Sequence, residues 1–224
     1  MAITRWLSGW FERHGSGVFP ATAALNSVRY VVLDTELTSL EPSTNRVISI
    51  GAVAMDGNRI RMGQHFYCVV NPGVTVPAST VLVHGLRPAD VLEGCAPAEA
   101  ISSLLNFATG AVLVGHFLGI DLAALRKELD GGSKALSEPA IDTARVQRWL
   151  DLRQNKYRED RGHQEEKLDL ASLARRYGLE HKEAHHALYD ALLTAELWQR
   201  LQVRLDAVGV KTLGELLRIG EAKE

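Results

Sequence analysis

A chain of 224 residues, 46% of them hydrophobic, can bury one sizeable core and sits at the upper end of single-domain length. Its formal net charge of −2 provides no global positive field, so a long polyanion has to be gripped locally. The two cysteines, Cys68 and Cys95, lack CxxC spacing, which argues against a disulfide framework and a thiolate zinc site and fits a reducing cytoplasm.

The opening MAITRWLSGWFERHG is interrupted by Glu12 and Arg13 before any apolar run reaches signal-peptide length. No later stretch is long enough to span a bilayer. The expectation is a cytoplasmic protein with no membrane partner. Residues 1–26 read as an N-terminal extension, whose Trp6, Trp10 and Phe11 either pack on the chain's own domain or dock a partner. Residues 28–33, 46–55 and 60–70 are rich in Val, Ile, Tyr and Phe and are separated by the turn-prone EPSTN and MDGN, so they read as antiparallel strands. The period then changes. Helical patterns cover 97–108 and 121–129, on either side of a short strand AVLVG at 111–115, and PAID at 139–142 reads as one more strand before a helix. Strands separated by helices usually pair in parallel.

Residues 152–167 carry five basic and four acidic side chains and read as a solvated loop. Lys156, Arg158 and Arg161 in it are candidate substrate contacts. KLDLASLARRYGL has helical spacing closed by Gly178 as a C-cap, and a longer helix follows from about 186 to 203. Ala187, Ala191 and Ala195 recur every four residues, which lets that helix lie close to a sheet. Thr212 and Glu215 have capping-box spacing ahead of Leu216, Leu217 and Ile219, so 204–224 reads as a C-terminal amphipathic tail. The main domain is then 27–203.

In YVVLDTELTSL, residues 30–40, an apolar strand ends in Asp34 and Glu36, which period-two alternation puts on one face. Two carboxylates about 4 Å apart repel by on the order of 4 kcal/mol at an effective dielectric near 20, so the pair needs cations, protons or open water. Further acids are available. Asp121 lies near a helix start, where it could cap, and His185, His186 and Asp190 open the long apolar helix. His181 and His185 are four apart, but Lys182 stands where a hydrolytic zinc HExxH motif needs Glu.

Five segments, in order, resemble the motifs of the DEDDh (DnaQ-like) 3′-to-5′ exonucleases, the group that includes the proofreading epsilon subunit and ribonuclease T. They are LDTELTSL, VHGLRPADV, GHFLGID, IDTARV and HHALYDA, and the likeness spans about 28–203. It implies an α/β, ribonuclease H-like fold: a mixed five-stranded sheet, three antiparallel strands then parallel ones, flanked by helices. It makes Asp34, Glu36, Asp121 and Asp190 the four metal-binding acids and His185 the catalytic histidine. In that family the segment after Glu36 and the start of the second helix border the terminal nucleotide, which makes Leu37, Thr38 and His84, with Leu40 and Phe117, either contacts for the last bases or core-packing side chains. Leu37, Ser39, Phe117 and Ile120 depart from the family's usual Thr, Gly, Asn and Phe.

The chemistry implied is hydrolysis of a phosphodiester with two Mg²⁺ or Mn²⁺ ions, which address weak nucleophile and leaving-group charge together. Carboxylate oxygens suit these hard ions. An imidazole ordinarily titrates near pH 6.5, which suits a general base. The expected substrates are single-stranded DNA or RNA 3′ ends, with a DNA polymerase as a candidate partner and the oligomeric state open. The rival reading is a catalytically weak nucleic-acid- or polymerase-binding subunit of the same fold.

Overall fold

The computed structural model describes residues 19–39, 41–76, 85–129, 136, 138–155, 167–180 and 185–222. The apolar run YVVL begins a strand that does not stop at Leu33. Strand β1 spans Arg29–Leu37, because its pairing with β2 (Val47–Asp56) continues through Asp34↔Gly51, Thr35↔Ile50 and Glu36↔Ser49. The ladder is made by backbone groups, so polar side chains at its end do not terminate it. Gly57, at φ 55°, turns β2 into β3 (Arg59–Val69), which pairs antiparallel to it. β4 (Val112–Gly115) joins the other side of β1, and β5 (Ala140–Asp142) joins β4, both in parallel. The strand order is β3-β2-β1-β4-β5, the expected mixed five-stranded α/β sheet.

Helices cover both faces. In chain order they are α1 (Pro88–Leu92), α2 (Pro97–Ala108), α3 (Gly119–Lys127), α4 (Thr143–Asn155), α5 (Leu170–Arg176), α6 (Ala187–Ala207) and α7 (Leu213–Gly220). The even-numbered β1 residues Tyr30 and Val32 lie in one core cluster with Trp198, Leu201 and Leu205 of α6. The Tyr30 and Trp198 rings meet edge to face, with centroids 5.6 Å apart. The odd-numbered Val31 and Leu33 lie in the opposite cluster with Ile101 and Leu104 of α2 and Leu122 of α3. Asp34 and Glu36 therefore continue the row that α6 covers.

Two sequence expectations need correction, and one element is new. The sequence pattern does not give the short α1, at whose start the Asp90 carboxylate accepts from the Arg87 amide at 3.1 Å and from its guanidinium at 2.9 and 2.7 Å. Residues 152–155 are not loop but the last turn of α4, where Arg153 stacks over Trp149 at 5.1 Å. The boundary at 203/204 falls inside α6, because Leu205 is fully buried and holds the helix to Ala207. The described rest of 204–224 packs on the domain. Leu213, Leu216 and Leu217 of α7 are buried in the α6 cluster, and the Ala222 amide donates to the Ala140 carbonyl of β5 at 2.9 Å. The Thr212–Glu215 capping box forms as expected. At the other terminus, Leu25 donates to the Lys211 carbonyl at 3.1 Å, so the described part of the extension is tied to the same end of the fold. Trp6, Trp10, Phe11, Leu40, His84, Lys156, Arg158, Arg161 and His181 lie outside the described residues. Among the described residues no helix is long and apolar enough to cross a membrane, and Cys68 and Cys95 are free.

Candidate active site

At the C-terminal end of β1 the even row changes from Tyr30 and Val32 to Asp34 and Glu36, and the first turn of α6 brings Asp190 over them. Carboxylate oxygens of Asp34, Glu36 and Asp190 lie within 4.8 Å of one another. The helix can come this close because Gly51, paired to Asp34, has no side chain: a Cβ there would sit 2.2 Å from the Leu188 amide nitrogen. Any larger residue would lift the start of α6 off the sheet.

Asp121 is held differently. It sits in the first turn of α3, but instead of capping that helix its Oδ1 accepts from the Thr35 amide at 2.9 Å and the Thr35 hydroxyl at 2.6 Å. Thr35 faces away from the two acids beside it. One residue on the opposite pleat therefore pins the fourth carboxylate to the same strand end.

The charges in this site disfavour one another. Burial, and after it the charges of Asp121, Asp190 and Glu36, push the Asp34 carboxyl well above its ordinary range. Burial, then Asp190 and Asp121, push Glu36 up to about 8. Burial lifts Asp121 to about 7, against the lowering effect of the Thr35 hydroxyl and amide. A cluster of oxygen-only donors that resists losing its protons is a fitting cradle for hard divalent cations, which would neutralise it.

His185 is exposed and immediately precedes the N-cap of α6. Its amide donates to Asp190 Oδ2 at 3.0 Å, and its φ is 66°, a left-handed conformation that costs a non-glycine residue roughly 1–2 kcal/mol. His116, by contrast, is buried. Its Nδ1 lies 2.8 Å from the Thr143 hydroxyl, which donates to the Gly115 carbonyl, and burial lowers its pKa to about 4. It is a neutral structural imidazole.

The residues expected to border substrate divide. A bulge interrupts the β1–β2 register between Glu36 and Leu37, and Leu37 packs against the α2–α3 cluster. Thr38 is buried and its hydroxyl oxygen accepts from the Arg46 amide at 3.0 Å, closing the loop after β1. Phe117 also has positive φ, 53°. It is 44% exposed, sets its ring against His116 at 4.6 Å, and donates its amide to Asp142 Oδ1 at 3.2 Å. With Ile120, 49% exposed, it gives the α3 side of the site an apolar rim where the resembling family has polar and aromatic groups. The sequence reading assigns no role to Thr35, Gly51 or Asp142. Thr35 lies in plain view between the acids, whereas the parts of Gly51 and Asp142 depend on contacts distant in sequence.

The family model for exonucleases of the ribonuclease T type matches residues 31–198, which contains every acid of this site. The chain belongs to the DnaQ-like exonuclease family. Among curated relatives, the chain is 36% identical over 201 residues to a DNA polymerase III subunit epsilon-like protein of Rhodobacter capsulatus, covering 88% of the chain and 27% of that protein. It is 27% identical to a PolC-type DNA polymerase III of Caldanaerobacter subterraneus, covering 84% of the chain and 12% of that protein. The chain thus spans about a quarter or less of these two relatives. It is also 27% identical to the DNA polymerase III subunit epsilon of Rickettsia typhi, covering 79% of the chain and 75% of that protein. Among solved structures, E. coli exonuclease I in complex with a dT13 oligonucleotide superposes with a TM-score of 0.66 at 15% identity, over 81% of this chain and 42% of that one. Exonuclease X in complex with 5′ overhanging duplex DNA gives 0.60 at 18% identity, over 85% and 98%. At these identities the structures speak for the fold.

Proposed function

We propose that this protein is a metal-dependent 3′-to-5′ exonuclease that releases nucleoside 5′-monophosphates from single-stranded or frayed DNA or RNA ends in the cytoplasm. The observation that carries the reading is the convergence of Asp34, Glu36 and Asp190 within 4.8 Å at the end of β1. In this reading these three carboxylates, with Asp121 directly or through water, hold two Mg²⁺ or Mn²⁺ ions. Bound there, the ions supply Lewis acidity to the phosphoryl oxygens, a more acidic water and a counter-charge for the leaving oxygen.

The chain's own residues do the rest. Thr35 fixes Asp121 through two donors. Asp190 fixes the backbone of His185. The His185 imidazole takes the proton of the attacking water as its oxygen bonds to phosphorus and the bond to the 3′ oxygen breaks. In this reading the last nucleotide rests between the loop after Glu36 and the exposed Phe117, whose aromatic face can stack on a base. Relatives named DNA polymerase III subunit epsilon-like protein and DNA polymerase III subunit epsilon make a polymerase the partner to test.

The test incubates purified protein with 5′-labelled single-stranded DNA and matched RNA, with Mg²⁺, Mn²⁺ or chelator, beside Asp34→Ala. The expected result is a ladder shortening from the 3′ end, dependent on metal and lost in the variant. No cleavage of either polymer under any metal contradicts the proposal.

A further inference from the structure

One strand row carries more than the acid at its centre. Asp34 pairs with Gly51, and Gly51 pairs with Tyr67 of β3. Above Gly51 lies the backbone of Ala187 and Leu188, and above Tyr67 lies His186. The Tyr67 and His186 rings are stacked, with centroids 4.7 Å apart and planes 19° apart. On its other side His186 meets Tyr189 edge to face at 4.9 Å. The His186 ring makes no cap hydrogen bond to α6, and its buried Nδ1 has no hydrogen-bond partner among the described residues. Ring contacts hold it, rather than polar ones.

This clamped ring directly follows His185, whose φ of 66° is not a conformation it adopts by preference. Strain of this kind persists only where the surroundings fix the residue on either side or hold its amide. Two restraints act here: the Asp190 carboxylate on the His185 amide, and the Tyr67–His186 stack on the next residue. The first belongs to the acid cluster. The second is a contact between rings beside that cluster, and Tyr67 is near enough that the Glu36 charge, after burial, helps to raise its pKa.

We propose that Tyr67 and His186 are positioning residues, an aromatic clamp that keeps His185 in its left-handed conformation and so aims its imidazole at the reacting phosphate. The inference rests on the reading of His185 as general base. Tyr67 anchors the clamp to the sheet in the register row of Asp34, so the acid and the base share one backbone reference. Stacking, not the phenol hydroxyl or the imidazole nitrogens, carries the effect.

The experiment compares steady-state cleavage of 5′-labelled single-stranded DNA with Mg²⁺ by wild type, Tyr67→Ala, Tyr67→Phe, His186→Ala, His186→Phe, His185→Ala and the double variant His185→Ala/His186→Ala. Circular dichroism verifies folding, and the Phe variants decide the matter if an Ala variant does not fold. Tyr67→Ala and His186→Ala are expected to lower kcat by at least about tenfold with KM within about twofold of wild type, the pattern of a lost transition-state alignment. Both Phe variants are expected to recover most of kcat. The double variant is expected to be no slower than His185→Ala alone, because the clamp acts through His185.

If His185→Ala is inactive while Tyr67→Ala and His186→Ala turn over like wild type, the clamp is overturned and the general base stands. If His185→Ala is active, both fall together. A raised KM with unchanged kcat shows the rings to be a substrate platform and overturns the positioning role, as does failure of both Phe variants to recover kcat.

Discussion

The two ends of α6 rest on the same row of β1 and are built to opposite rules. From Ala195 to Leu205 the helix is held by burial: Trp198, Leu201 and Leu205 are fully enclosed over Tyr30 and Val32. From His185 to Asp190 it is held by a glycine beneath it, a ring stack beside it and a carboxylate on a strained backbone, and it lands on acids that repel one another. Packing energy at one end thus supports an unfavourable arrangement at the other. An active centre of like charges can be pre-organised only if something distant holds it together.

The largest effects should separate the ends by kind. Asp34→Ala, Asp190→Ala and His185→Ala are each expected to lower turnover by at least about 100-fold while the fold survives. For Asp34→Ala and Asp190→Ala the thermal midpoint in chelator should stay level or rise, since a repelling charge is removed. At the other end, Trp198→Ala is expected to destabilise by about 3–5 kcal/mol in denaturant titrations, and its loss of activity should follow the unfolded fraction. Comparable loss of stability from Asp34→Ala would erase the distinction.

A smaller effect is set by protons. Glu36 has its pKa raised from 4.5 to about 8 in the folded chain, so the folded state keeps a proton that the unfolded state has released. The stability this contributes is fully present below about pH 4.5 and is lost as pH rises through about 8. Asp121, raised to about 7, acts in the same direction. In chelator the thermal midpoint should therefore fall across this window. Added Mg²⁺ should restore it at the alkaline end and do little at the acid end, where protons already occupy the carboxyls. A metal-free midpoint that rises over the same window would contradict the burial of these charges.

The smallest effect concerns the pleat opposite. Thr35→Val removes the hydroxyl donor to Asp121 and leaves the amide, and should cost several-fold in turnover, with Thr35→Ser restoring it. Equal activity in both variants would show that the amide alone suffices.

How much of this was legible in the sequence follows from how local each determinant is. The spacing of Asp34 and Glu36 on one strand face, the alanine stripe of α6 and the Thr212–Glu215 capping box are local patterns, and the ordered likeness of five short motifs led to the four acids and His185. The strand's true end at Leu37 was not legible, because the apolar pattern stops at Leu33 while backbone pairing does not. The same holds for the last turns of α4 and α6, where Arg153 over Trp149 and buried Leu205 extend helices through polar sequence. Thr35 on Asp121, Gly51 beneath Ala187 and Tyr67 against His186 join residues 86, 136 and 119 positions apart. Only the register of the sheet brings those pairs together.

On the proposed function, the strained end of α6 and the end of β1 form one cation-held site. This is tested most directly by titrating Mn²⁺ into metal-free protein in a calorimeter, wild type beside Asp34→Asn. Two Mn²⁺ are expected per wild-type chain, with proton release on binding, and loss of at least one site in the variant. Binding that is absent in wild type, or unchanged in Asp34→Asn, would contradict it.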